Sequence, residues 1–114
     1  MFMDNKAFHK QIGMRITQRR KQRNMTQEEL AELVDVTPQM ISSAELGKKG
    51  LRPENLYKIS KALNVSADYL LSGEVTRTDA AYLQTRMKNL TPKKFRCIEK
   101  IIDNCIQLSL ETSD

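Results

Sequence analysis

Apolar residues recur at helical spacing along most of the chain and nowhere alternate as they do in a half-buried strand. Phe8, Ile12 and Ile16 share one stripe, which predicts a first helix over about Ala7 to Gln22, closed by Asn24. Thr26 then offers a hydroxyl N-cap with Glu29 three residues on, a capping box, and Leu30, Leu33 and Val34 continue a short second helix. The stretch "DVTP" interrupts it. Pro38 has no amide hydrogen and steers Thr37 away from helical geometry, so Thr37 caps a third helix whose first residue is Pro38. That helix runs to about Glu45, and Gly47 suits a left-handed end. Pro53 opens a fourth helix with Leu56, Ile59 and Leu63 facing inward, and Ser66 caps a fifth, closed by Gly73. "EVTRT", residues 74–78, reads as a linker. Ala80, Leu83 and Met87 predict a sixth helix, and a second Thr-Pro pair starts a seventh, Pro92 to about Leu110. The expected class is all-α.

Composition narrows the partner. With 114 residues the chain holds one compact core and an appendage, and 39% hydrophobic residues with three prolines and four glycines give a globular protein. The formal charge of +5 favours an anionic partner. Six basic residues and no acidic one lie between Lys10 and Arg23, which taken alone read as a solvated helix face. Cys97 and Cys105 are eight residues apart on one helix, about 12 Å along its axis, too far for a disulfide, and read as reduced, half-buried packing residues. His9 is the single histidine, so neither a metal site nor a cofactor is expected. "MFMDNKAFHK" is too polar for a secretory leader and no apolar run is long enough to span a bilayer, so a cytoplasmic location is expected, with no membrane partner.

Two short helices joined by a tight turn hold the second at a steep angle, as a probe. Ala31 is small where the two must approach, and Ile41 and Ala44 anchor the third helix at i, i+3 spacing. An ordinary helical hairpin is the alternative. "RITQRRKQRNM", the stretch from Thr26 to Gly47 and "RPENLYKISKALNVSADYLLSG" together resemble the Cro and phage-repressor, or XRE-type, helix-turn-helix domain, with Gln27, Ala31, Ile41, Glu45 and the closing "LLSG" all fitting. The resemblance covers five helices, about Phe8 to Gly73, and leaves out Glu74 to Asp114. It divides the chain into a DNA-binding domain over 1–73, a linker over 74–78 and a C-terminal two-helix segment over 79–114, taken as a dimerisation element.

With Ile41 and Ala44 inward at about 100° per residue, Gln39 and Ser43 point away from the core and Ser42 and Leu46 flank them. These groups are outward and uncharged, whereas a plain solvent face would carry Lys or Glu. A Gln amide can make a bidentate pair with adenine, and a serine hydroxyl donates or accepts. The resemblance implies base contacts from Thr37, Pro38, Gln39, Ser42 and Ser43, and phosphate contacts from Gln27, Lys48, Lys49 and Arg52. Pro38 departs from the family, since it replaces a hydrogen bond by van der Waals contact. Asp35 also departs, standing where the turn often has glycine, yet Asp tolerates a left-handed backbone. Arg20 and Glu45 both approach the edge of the core, and the resemblance pairs them; periodicity alone also allows Arg19 or Arg23.

In the seventh helix, Phe95, Ile98, Ile101, Ile102, Cys105 and Leu108 form a stripe that needs covering, by the same subunit's core or by a second chain. A five-helix reader needs two half-sites for useful affinity, which favours a homodimer. The expected function is a transcriptional regulator of double-stranded DNA, a repressor on a palindromic operator. The alternative is an antitoxin-like module whose tail binds a regulatory protein partner. An enzyme is not expected, because no histidine accompanies a nucleophile and no Gly-rich phosphate loop is present.

Overall fold

The computed structural model describes residues 4–111, which form seven helices and, among these residues, no strand. In order they are α1 (Asn5–Gln22), α2 (Gln27–Val34), α3 (Pro38–Leu46), α4 (Pro53–Leu63), α5 (Ala67–Ser72), α6 (Arg77–Met87) and α7 (Pro92–Glu111).

Each break in the chain has a local chemical cause. The Asp4 carboxylate accepts from the Ala7 amide at 2.9 Å, which starts α1 two residues earlier than the apolar stripe predicts. Thr26 and Glu29 form the full capping box on α2, and Thr37 and Ser66 cap α3 and α5 through their hydroxyls. Asn24, Asp35 and Asn64 adopt the left-handed conformation at φ 56°, so Asp35 closes α2 as its side chain permits.

The chain divides into two compact units, one ending at Tyr82 and the other beginning at Leu83. This division falls inside α6, beyond the 74–78 stretch read as a linker, and α6 already begins at Arg77. Asp79 explains the difference. Its carboxylate accepts from the Ser66 amide and hydroxyl, both at 2.7 Å, and from the Thr76 amide at 2.8 Å. The start of α6 is thereby tied to the cap of α5. Burial would raise the Asp79 pKa, but these four donor groups, the Thr76 hydroxyl included, hold the carboxyl below its ordinary value.

In the first unit α1 packs on α3, α4 and α5, and α2 packs on α3 and α4. Their common core contains Ile12, Ile16, Leu30, Ala31, Val34, Ile41, Ile59, Leu63, Val65 and Leu70. Leu33 does not join it and is 63% exposed. Burial of Ala31 beside Leu30 and Val34 turns α2 so that Leu33 points sideways, next to Met25, Glu29 and Glu32.

In the second unit, α7 buries none of its described side chains, and only Ile98 is half-buried. Cys97 and Cys105 are free and exposed rather than half-buried, since the described residues of this unit leave most of the α7 stripe open.

Candidate nucleic-acid interface

The third helix is held by its C-terminal half. Gly13 of α1 lies so close to α3 that a Cβ there would stand 2.3 Å from the Glu45 carbonyl oxygen and 2.5 Å from that of Ala44. Gly47, at φ 70°, closes α3 against α1, where a Cβ would meet the Lys10 backbone at 2.7 Å. Two glycines therefore allow the backbones to touch, and Ile41 is fully buried beneath the crossing.

An ion pair fixes the orientation at this crossing. Arg20 Nε donates to Glu45 Oε2 at 2.6 Å and Arg20 Nη2 to Oε1 at 3.0 Å, a two-pronged geometry, with both side chains nearly excluded from water. The remaining Arg20 nitrogen, Nη1, donates to the Met25 carbonyl at 2.7 Å, so the same residue also holds the turn before α2. The bond to Glu45 outweighs burial and raises the Arg20 pKa. Burial pushes the Glu45 pKa up, but donation by Arg20, Gln27 and Thr17 pulls it further down, and the carboxyl stays ionised below its usual range.

The basic run of α1 is largely turned inward. Arg15 Nη1 donates to the Leu70 and Leu71 carbonyls at 3.1 and 3.2 Å, and Arg19 Nε donates to the Leu63 carbonyl at 2.9 Å. These are orphan acceptors at the ends of α5 and α4, where a cation also suits the helix dipole. Arg15, Arg19 and Arg20 act as staples rather than as the solvated face that the charge run suggests.

With its C-terminal half anchored, α3 presents its other end to solvent. Thr37, Pro38 and Gln39 are exposed, while Ser42 and Ser43 are half-buried along the same helix. Lys48, Lys49 and Arg52 are exposed on the loop to α4. Ser43, Lys49, Arg52 and Asn55 line one shallow groove with Met40. Gln27 is engaged from within, since its Nε2 donates to Glu45 Oε1 at 3.0 Å. It therefore couples the start of α2 to the ion pair. Asn55 and Met40 are absent from the sequence-derived site. The Arg52-Pro53 start of α4 was the available signal for Asn55, because a helix opening at Pro53 turns its third residue toward the preceding loop.

This arrangement, two short helices with a left-handed aspartate between them and the second stapled to α1, is that of a helix-turn-helix. A helix-turn-helix family model matches residues 16–70. The transcriptional regulator YqaE of Bacillus subtilis is 31% identical over 96 residues, covering 81% of this chain and 80% of that protein. The chain belongs to the Cro/C1-type helix-turn-helix family of transcriptional regulators. Repressor protein C2 of Salmonella phage P22 is 41% identical over 71 residues, 62% of this chain but 33% of that protein, so the chain spans about a third of that relative. The crystal structure of the P22 c2 repressor with a synthetic operator matches with a TM-score of 0.54, 41% identity, and coverage of 55% of this chain and 96% of that one. A structure of the SinR–SinI complex matches at 26% identity and a TM-score of 0.54, over 84% of this chain and 98% of that one. In this regulator, among the described residues, no helix is long and apolar enough to cross a membrane.

Proposed function

We propose that this helix-turn-helix regulator is a repressor that reads a palindromic operator as a homodimer, with α3 of each copy in the major groove. The observation that carries the reading is the exposed, uncharged edge Thr37-Pro38-Gln39 on a helix whose opposite end is locked by Arg20, Glu45, Gly13 and Gly47. A rigidly held helix with outward amides and hydroxyls suits base readout. Thr37, Pro38, Gln39, Ser42 and Ser43 face the bases in this reading, with Pro38 in apolar contact. Lys48, Lys49 and Arg52 meet phosphates, Asn55 joins them at the groove, and Gln27 positions the backbone contact from the start of α2. The P22 relative, solved on a synthetic operator, supports the same use of the fold.

Titration of labelled duplexes at several salt concentrations tests the site. Gln39→Ala weakens the best site by about 1 to 3 kcal/mol and relaxes preference at one position of each half-site. Lys49→Ala weakens all duplexes alike and flattens the salt dependence by about one unit per half-site. An unchanged ranking of operator variants in Gln39→Ala removes Gln39 from the base-reading set.

In the same reading the tail stripe of Phe95, Ile98, Ile101, Ile102, Cys105 and Leu108 joins the two copies. A second occupant, a different protein, is favoured by one observation, the match to the SinR–SinI complex over 84% of this chain. Light scattering of the intact chain separates the two: a dimer supports self-pairing, and a monomer at micromolar concentration assigns the stripe to another protein.

A further inference from the structure

We infer that α7 pairs antiparallel with α7 of a second copy, about a two-fold axis that passes between Ile101 and Ile102. This rests on the dimeric reading above and adds to it the direction, register and contacts of the pair.

The first ground is the exposed face itself. Phe95 is 44% exposed, Ile101 62%, Ile102 50% and Leu108 59%. A row of this length left in water calls for a covering surface. Its spacing also fits an antiparallel copy layer for layer. Phe95 and Leu108, Ile98 and Cys105, and Ile101 and Ile102 lie at equal distances on either side of the Ile101–Ile102 midpoint. An antiparallel copy therefore sets Phe95 level with Leu108 of the second copy, Ile98 with its Cys105, and Ile101 with its Ile102. Every apolar layer is filled from both sides.

The second ground is charge, and it fixes the direction. From Pro92 to Lys100 the chain carries Lys93, Lys94, Arg96 and Lys100 against Glu99 alone, whereas Ile101 to the last residue has Asp103, Glu111 and Asp114 and no Lys or Arg. Lys93 and Lys94 stand in the first turn of α7, at the positive end of its dipole, which destabilises an isolated helix. An antiparallel neighbour brings the negative end of its dipole alongside that turn and sets its Asp103 level with Lys100. A parallel neighbour brings a second positive end and four more basic residues. Lys94 sharpens the point, because it continues the row of Ile98, Ile101, Cys105 and Leu108 at i, i+4 spacing. In a parallel pair Lys94 opposes its own copy inside the seam. In the antiparallel pair it lies level with Ser109 of the second copy.

Inter-copy distances measured on the full chain decide the matter. Lys93 and Lys100 are exposed and seven residues apart, so they occupy the same side of α7, away from the stripe. Spin labels are attached singly at Lys93→Cys or Lys100→Cys in a chain also carrying Cys97→Ser and Cys105→Ala, and light scattering establishes which samples are dimers. The antiparallel pair offsets the two labels along the helix axis by about 25 Å at position 93 and about 5 Å at position 100, from a rise of about 1.5 Å per residue. The expected result is a clearly longer separation at 93 than at 100. Equal separations at both positions mean a parallel pair and overturn the inference while the dimeric reading stands. A dimer with long separations at both positions places the contact elsewhere and also overturns it. If the unsubstituted chain is a monomer, the inference and the dimeric reading fall together; if only the substituted chain is, the same labels are placed in a chain carrying Cys97→Ser and Cys105→Val, which restores apolar volume at the seam, and the distances decide as before.

Discussion

α1 and α7 are the longest helices in the chain, 18 and 20 residues, and they use their side chains in opposite ways. α1 has a poor apolar stripe, yet it is the central post of its unit, burying Ile12, Gly13, Ile16 and Arg20 and packing against three other helices. α7 has a clean apolar stripe and buries none of its described side chains. α1 compensates for its weak amphipathicity by directed polar contacts, since Arg15, Arg19 and Arg20 each reach a carbonyl or carboxylate on another segment. An amphipathic pattern measures how much surface a helix offers for burial. It does not measure how much the chain itself buries, because a glycine contact and a charge-assisted hydrogen bond leave little trace in a hydrophobic profile.

The largest expected effect breaks α1 from α3. Glu45→Ala leaves Arg20 buried without its carboxylate and lowers the stability of the first unit by about 3 to 5 kcal/mol, read by denaturant unfolding. Replacing both residues, Arg20→Met with Glu45→Leu, hurts less than either single change. Additive single and double effects would rule out a coupled pair. Gly13→Ala comes next. Its methyl group meets two backbone carbonyls of α3, and overpacking of this kind costs about 1 to 3 kcal/mol, at the upper end here because backbone yields less than side chain. The matching change on α7, Ile101→Ser, leaves the first unit's unfolding unchanged when measured in dilute solution. An equal loss from both would erase the contrast between the helices.

A smaller effect sharpens the contrast by separating arginines that hold the fold from lysines that meet DNA. Arg15→Met removes the donor to the Leu70 and Leu71 carbonyls and costs about 1 kcal/mol of stability, while the salt dependence of DNA binding keeps its slope. Lys49→Ala does the reverse. A changed slope in Arg15→Met would add that residue to the phosphate-contacting set.

The smallest effect concerns pH. Glu45 and Asp79 both have folded pKa values below their ordinary ones. The stability they contribute is therefore fully present above the ordinary carboxylate range and is lost as pH falls through the folded values. Thermal unfolding midpoints drop below about pH 4, and Asp79→Asn shallows that drop while leaving neutral-pH stability lower by about 1 kcal/mol, the typical value of a lost cap. If the acid limb of the curve is the same with and without Asp79, the Ser66–Thr76 bridge carries no linkage.

Much of this architecture was legible in the amino-acid order. Helix boundaries were, because Thr26, Thr37, Pro38, Pro53 and Ser66 act within a few residues of where they stand, and a cap or an N1 proline gives the same result whatever packs around it. The inward places of Ile41, Ala44, Ile59 and Leu63 and the outward place of Gln39 followed from the helical period alone. Distance in sequence hid the rest. Periodicity left Arg19 and Arg23 open beside Arg20, which the family resemblance pairs with Glu45; the α1–α3 crossing joins Arg20 to Glu45 and sends Arg19 to the end of α4. Gly13 gave no signal, since a glycine inside a helix acquires its reason only when another backbone arrives beside it. Leu33 satisfied the stripe and lost its burial to the small turn of α2 that seats Ala31. Local chemistry, which depends on neighbours in the chain, determined where each helix begins and ends; which faces are covered and which charges meet was decided by tertiary packing, because those choices depend on residues as far apart as Arg15 and Leu70, whose carbonyl accepts from the Arg15 guanidinium.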